Sequence, residues 1–198
     1  MGRFRKFTRF SDDYSTGEPF QHWYRDDSVY FITSRCRDRF AAFDSEQSKA
    51  IFWDRFLHWT AHFGFVAFVT TLLNNHYHTV GYLRVGENLG PMMQRIHGSV
   101  AKLVNDSLPQ RHLPFWREAG RRDYFDGCLR DATQCRRTYR YILLQSVRAG
   151  IRADWKDYPH TRVGVELERA VTRSLELDAF MTGVEYKRYR YRRGDSTP

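Results

Sequence analysis

The segment Phe65–Leu83, FVAFVTTLLNNHYHTVGYL, decides the fold because it contains two strand-like runs on either side of a turn. Both runs are rich in β-branched and aromatic residues, and the asparagine pair between them is typical of a turn. His76 and His78 open the second run. Residues two apart in a strand point to the same face, so both imidazoles could bind one metal ion while Tyr77 points away. A solvated pair of surface histidines is the commoner meaning of this spacing.

A second pattern lies further along the chain, in a segment with the signals of a helix. Asp131 opens a capping box and Gly150 is a C-terminal stop, so we predict one helix over about 131–149. Tyr141 and Gln145 are four residues apart and share a face of it. A phenol beside an amide oxygen suits a site in which the amide completes a metal shell and the phenol attacks phosphorus. The alternative is a core tyrosine beside a surface glutamine.

The other hydrophobic patterns complete the order of elements. They predict a strand near 29–36, helices over 45–63 and 88–107, a strand near 124–129, and a further amphipathic helix near 165–180 that is ended by Gly183. Asp44 or Ser45 would open the first helix. The order strand, helix, two strands, helix, strand predicts an α+β fold of the ferredoxin-like sandwich type, with a central antiparallel sheet. We place residues 1–163 in one domain with a basic N-terminal arm, and residues 164–198 in a C-terminal helix and tail.

Both patterns resemble motifs of one protein family. Leu73–His78 is similar to the proline-asparagine-histidine-hydrophobe-histidine motif of the REP-associated tyrosine transposases, relatives of the single-tyrosine HUH transposases of small insertion sequences. Tyr141–Ile151 resembles their tyrosine helix. Segments 29–35, 115–117 and 123–131 resemble other parts of the family in matching order. Asn74 stands where the family usually has proline, and Gln145 with Ser146 stands where it usually has asparagine-proline.

The resemblance implies an HUH endonuclease type of fold and a DNA-cutting chemistry. Tyr141 would be the nucleophile that forms a 5′-phosphotyrosine, and His76, His78 and Gln145 would hold one divalent cation, Mg²⁺ or Mn²⁺. Glutamine is the third metal ligand of the insertion-sequence relatives. The implied substrate is single-stranded or hairpin DNA, as in repetitive extragenic palindromes. We expect a monomer or homodimer in the bacterial cytoplasm, associated with the nucleoid, because the three cysteines fit a reduced compartment best.

Composition agrees with a DNA partner. The chain has 198 residues, with Lys+Arg 32 against Asp+Glu 23 and a net charge of +9, which favours polyphosphate partners. Arg148 is a candidate phosphate contact. The basic, tyrosine-rich tail adds further candidates, which are Lys187, Arg188, Arg190, Arg192 and Arg193, although a solvated end explains this tail equally well. Three cysteines without CxxC spacing indicate neither a disulfide framework nor a zinc ribbon, and no apolar run reaches membrane-spanning length.

Two other functions compete with a transposase. A non-catalytic nucleic-acid-binding regulator could keep the same fold, although the retained histidines, tyrosine and amide argue against it. A relaxase or replication initiator would share the chemistry but usually has a longer histidine cluster. Among the remaining histidines, His58 and His62 are expected to be a helix-surface pair, and His97, His112 and His160 receive no role.

Overall fold

The elements follow the predicted order closely. The computed structural model describes residues 23–116, 123–129, 131–183 and 192–193. Its strands are β1 (Trp23–Tyr24), β2 (Ser28–Arg35), β3 (Phe65–Leu72), β4 (His76–Leu83), β5 (Phe125–Leu129), β6 (Thr161–Val163) and β7 (Arg192–Arg193). Its helices are α1 (Glu46–Phe63), α2 (Leu89–Ser107), α3 (Ala132–Leu143), α4 (Gln145–Arg148) and α5 (Leu167–Gly183).

The main sheet has the strand order β5-β2-β4-β3-β6, and every neighbouring pair is antiparallel. β2 and β4 therefore lie in its interior, where each is hydrogen-bonded on both sides. The predicted α+β sandwich around a central antiparallel sheet is confirmed. β6 was not predicted, because three residues are too few to show an alternating pattern.

The two faces of this sheet bury different cores, because successive side chains of a strand alternate between faces. Tyr30 and Tyr77 belong to the core that contains α1 and α2. Phe31 and Val80 belong to the core that contains α3 and the first turns of α5. Each face of the sheet is thus covered by its own pair of helices.

The ends of α1 show why the sequence places a helix there. Ser45 is the N-cap, and its hydroxyl oxygen accepts a hydrogen bond from the Ser48 backbone N–H at 3.1 Å. Gly64 ends the helix with a φ of 75°, a left-handed conformation that glycine adopts without strain. The choice left open between Asp44 and Ser45 is therefore settled in favour of Ser45.

The prediction of one continuous helix over 131–149 is wrong. Asp131 caps its start as expected, and its carboxylate accepts a hydrogen bond from the Gln134 backbone N–H at 2.8 Å. The helix is interrupted at Leu144, where φ is −86° and ψ is 7°, so that α3 and α4 are separate. The Thr71 hydroxyl of β3 donates a hydrogen bond to the Ile142 backbone carbonyl at 2.8 Å. This bond connects the end of α3 to the sheet.

The C-terminal helix packs on the helix that carries Tyr141. Ala170 and Val171 of α5 lie in one buried cluster with Cys135 and Tyr139 of α3. Beyond α5, the two residues of β7 pair with β1 in a separate two-stranded sheet. The N-terminal arm and the tail candidates Lys187, Arg188 and Arg190 lie outside the described residues. Within the described part of the chain, no helix has the length and apolar character needed to cross a membrane.

Candidate active site

β4 carries the two candidate metal ligands on one face of the sheet, as predicted. The rings of His76 and His78 lie with their centroids 5.1 Å apart and nearly perpendicular. Tyr77, between them, is fully buried on the opposite face, and its hydroxyl lies 3.1 Å from Nε2 of His97. His97 therefore has a structural partner that the sequence did not reveal.

α3 brings Tyr141 to the same face. Its ring centroid lies 5.4 Å from that of His78, in an edge-to-face arrangement. Phe31 of β2 packs against both rings, at 6.3 Å from Tyr141 and 6.0 Å from His78. Phe31 meets the Tyr141 ring edge-to-face and stacks on the His78 ring, and both arrangements are favourable, so Phe31 helps to set the position of the phenol relative to the imidazole. The predicted proximity of the two sequence patterns is confirmed.

Gln145 is buried, in contrast to the alternative of a surface glutamine. Its side-chain Nε2 donates a hydrogen bond to the Tyr141 backbone carbonyl at 2.9 Å. Because this bond uses the amide nitrogen, it fixes the orientation of the amide and leaves Oε1 as the atom with lone pairs to offer. Tyr141 and Gln145 thus stay coupled, although the helix is interrupted between them.

Both histidines are held in the neutral form. Burial, with a smaller contribution from the charge of Arg35, lowers the pKa of His76 to about 4. Burial, followed by the charges of His76 and Arg35, holds the pKa of His78 well below its usual value. Neutral imidazole is the form that binds metal ions, so both side chains are ready to act as ligands near neutral pH.

The donor atoms of this site fit a divalent cation. Nδ1 of His78 is buried and has no hydrogen-bond partner among the residues that the structure describes. No group of three His, Cys, Asp or Glu side chains in the described ranges could hold a metal, so a site here needs the amide of Gln145 as its third ligand. Two neutral imidazoles and one amide oxygen would leave coordination positions for phosphate oxygens. Metal binding itself stays a prediction.

Two arginines add positive charge beside these groups. The guanidinium carbon of Arg148 lies 5.1 Å from the centre of the Tyr141 ring, at cation–π distance. Arg35 pairs in register with His76 at the end of β2, which places both side chains on the same face of the sheet. Arg148 was a candidate from the sequence, whereas Arg35 was missed. The signal that could have found Arg35 is its position at the end of the strand paired with the histidine strand.

The other histidines lie away from this site. His58 and His62 are exposed on α1, which agrees with the expected surface pair. His160 has two partners that the sequence did not predict: its Nδ1 accepts a hydrogen bond from the Trp53 indole at 3.2 Å, and its Nε2 lies 3.1 Å from Glu46. These contacts attach the segment after α4 to α1. The role of His160 is therefore structural.

Comparison with known proteins supports the fold. A scan against protein-family models finds no match, and a search of curated proteins also finds none. Among solved structures, the chain is similar to a REP-associated tyrosine transposase bound to a REP hairpin, with a TM-score of 0.61 and 17% identity over 91% of this chain and 94% of that one. This chain has the fold of a REP-associated tyrosine transposase. The expectation from the sequence motifs is confirmed at the level of the transposase fold.

A second solved structure with lower similarity to this chain is that of a protein from Deinococcus radiodurans that is named as a candidate transposase. It has a TM-score of 0.43 and 12% identity over 67% of this chain and 95% of that one. At this level of similarity it adds nothing to the comparison.

Proposed function

We propose that this protein is a metal-dependent, site-specific endonuclease and strand transferase for single-stranded DNA, acting as a transposase on hairpin substrates. The observation that carries the proposal is the 5.4 Å separation between the rings of Tyr141 and His78, which come from a helix and a strand far apart in sequence. Gln145 is fixed beside them by its bond to the Tyr141 carbonyl. A phenol, two neutral imidazoles and an amide are the groups that this chemistry needs.

Tyr141 would supply the nucleophile. Its phenolic oxygen forms a bond to the phosphorus of the scissile phosphodiester, and the bond from phosphorus to the 3′ oxygen breaks. The phenol loses its proton, and the departing 3′ oxygen gains one. The products are a free 3′-hydroxyl and a 5′-phosphotyrosine. Because this linkage keeps the energy of a phosphodiester, a second 3′-hydroxyl can attack it and rejoin a DNA strand without ATP.

His76, His78 and Gln145 would hold a divalent cation, Mg²⁺ or Mn²⁺. When bound, such an ion offsets the negative charge that develops on the phosphate oxygens. Arg148 is exposed, its guanidinium lies over the Tyr141 ring, and it would contact a phosphate of the same strand.

Two observations support DNA as the substrate. The net charge of +9 favours a polyanionic partner. The similar transposase was solved bound to a REP hairpin. We therefore infer that the substrate is a hairpin with a single-stranded flank, as the resemblance to the REP-associated tyrosine transposases implies.

A single assay tests this proposal. The protein is incubated with Mn²⁺ and a hairpin DNA carrying a single-stranded flank, and the products are run on a denaturing gel. With a label at the 3′ end of the DNA, we expect the label to move with the protein. With a label at the 5′ end, we expect a free fragment, because Tyr141 is joined to the downstream 5′ phosphate.

Two tyrosine variants provide the matched comparison. Tyr141→Phe should lose the adduct and keep DNA binding, since only the nucleophilic oxygen is removed. Tyr139→Phe should keep the adduct, because Tyr139 is buried elsewhere and its hydroxyl donates to the Val165 carbonyl at 2.8 Å. An adduct on Tyr141→Phe would refute the assignment of the nucleophile. Hairpin binding by the wild type without any adduct would indicate a non-catalytic regulator instead.

A further inference from the structure

Asn75, in the turn before β4, makes two hydrogen bonds, one with the nitrogen and one with the oxygen of its side-chain amide. Its Nδ2 donates to the backbone carbonyl of Arg39 at 2.9 Å. Its Oδ1 lies 2.6 Å from Nδ1 of His76. The first bond fixes the orientation of the amide, because a carbonyl can only accept, so the oxygen must face the imidazole.

This geometry determines which nitrogen of His76 carries the proton. The amide oxygen also can only accept, so Nδ1 of His76 must be the donor. An imidazole protonated on Nδ1 presents the lone pair of Nε2. The hydrogen bond therefore selects one tautomer and restricts rotation of the ring.

The carbonyl that holds Asn75 is itself held in place. Asp38 and Arg39 have φ angles of 52° and 58°, a left-handed backbone conformation that is strained for residues other than glycine. Such a loop persists only when the surrounding structure supports it. Backbone bonds from Cys36 N–H to the Asn75 carbonyl at 2.8 Å, and from Phe43 N–H to the Asn74 carbonyl at 2.8 Å, attach the loop to the turn.

We infer that Asn75 is a positioning residue that sets the tautomer and orientation of His76 for metal binding. This inference rests on the proposed metal site. Groups that bind the second nitrogen of a ligating histidine commonly change metal affinity 10- to 100-fold when they are removed. Asn75 has this relation to His76, and the strained loop around Arg39 fixes Asn75 in turn.

The neighbouring asparagine provides a matched control. Asn74 lies in the same turn and is equally half-buried, but its Nδ2 donates to the Asp44 carboxylate at 3.0 Å and not to a histidine group. Asn75→Ala and Asn74→Ala therefore remove the same side chain from adjacent positions. Asn75→Asp serves as the conservative variant, because it keeps an oxygen for Nδ1 of His76.

The experiment has two readouts in the full chain without DNA. The His76 tautomer is read from imidazole ¹⁵N chemical shifts, and Mn²⁺ affinity is read from the electron paramagnetic resonance signal of the free ion. We expect the Nδ1-protonated tautomer in the wild type, in Asn74→Ala and in Asn75→Asp. We expect Asn75→Ala to shift towards the Nε2-protonated tautomer and to bind Mn²⁺ about 10- to 100-fold more weakly. Asn74→Ala should bind like the wild type, and Asn75→Asp should bind within a few-fold of it.

The outcomes separate this inference from the proposed function. Wild-type Mn²⁺ binding that Asn75→Ala leaves unchanged, or an Nε2-protonated His76 in the wild type, would overturn the role of Asn75 alone. Equal weakening by Asn74→Ala and Asn75→Ala would also overturn it, since the effect would then belong to the turn as a whole. A wild-type protein that binds no Mn²⁺ would overturn the proposed metal site, and the role of Asn75 with it.

Discussion

Thr71→Val removes the hydroxyl that is hydrogen-bonded to the end of α3, and it keeps nearly the same side-chain shape. Thr71 is completely buried, its Oγ1 donates to the Ile142 carbonyl at 2.8 Å, and it lies 3.0 Å from Oγ1 of Thr161. The carbonyl can only accept, so the single proton of Thr71 goes to Ile142 and Thr161 donates to Thr71. Valine would take away the donor of one bond and the acceptor of the other.

The size of the effect follows from burial. Leaving a buried carbonyl without its donor costs about 1–3 kcal/mol. Thr161 is only half-buried and can turn towards water, so its lost acceptor adds little. For a chain of this size, each kcal/mol shifts the Tm by about 2–4 °C. We therefore expect the Tm of Thr71→Val to fall by roughly 2–12 °C, measured by circular dichroism.

The same variant should also lower the rate of adduct formation at 25 °C, where it remains folded. The interruption at Leu144 lies between Tyr141 and Gln145, so movement of α3 or α4 changes the position of the proposed nucleophile relative to the proposed third ligand. Misplacement by about 1 Å can cost up to ~100-fold in rate. Thr161→Val keeps the bond to Ile142 and should change both the Tm and the rate much less. An unchanged Tm and rate in Thr71→Val would refute this reasoning.

Three other predictions follow from the described contacts. His78→Ala and chelator should each abolish cleavage, and Gln145→Ala should lose less because a neutral amide is the weakest of the three ligands; equal wild-type activity with and without chelator would remove the metal from the mechanism. Ser146→Ala should raise stability by about 1 kcal/mol, because the buried Ser146 hydroxyl has no partner within the described residues; a lower Tm would contradict this. Burial lowers the pKa of His97 from 6.5 to about 3, so the unfolded state binds more protons between these values and stability falls as the pH falls through that window. His97→Gln should reduce the slope of unfolding free energy against pH by up to ~1.4 kcal/mol per pH unit, and an unchanged slope in denaturant titrations would show that His97 does not titrate this way.

Local patterns were sufficient to predict most of the fold. The alternation in 65–83 placed both histidines on one face because side-chain direction in a strand depends only on the backbone. The caps at Ser45 and Asp131 and the stop at Gly150 were visible because a helix end needs side chains or conformations that few residues provide. The proximity of Tyr141 and Gln145 likewise follows from their spacing of four residues.

The parts that could not be predicted depend on contacts between distant segments. The interruption at Leu144 lies next to a contact that no local pattern shows, since Thr71 is 71 residues from its partner Ile142. The bond between Trp53 and His160 joins residues 107 apart, and neither side chain has a local pattern that indicates the other. Asn75 is an intermediate case. It is adjacent to His76 in the sequence, but its second bond to Arg39 becomes visible only in three dimensions.

The pairing of β1 with β7 would affect the path of DNA bound at the proposed site. Trp23 and Tyr24 pair with Arg193 and Arg192, and Tyr24 packs on the core that contains α1 and α2. Tyr141 lies on the other face of the sheet. The backbone of Arg192 and Arg193 therefore lies on the opposite side of the sheet from Tyr141. A DNA strand that touches both regions would have to pass around the edge of the sheet, so its footprint would be longer than the cleavage step alone requires.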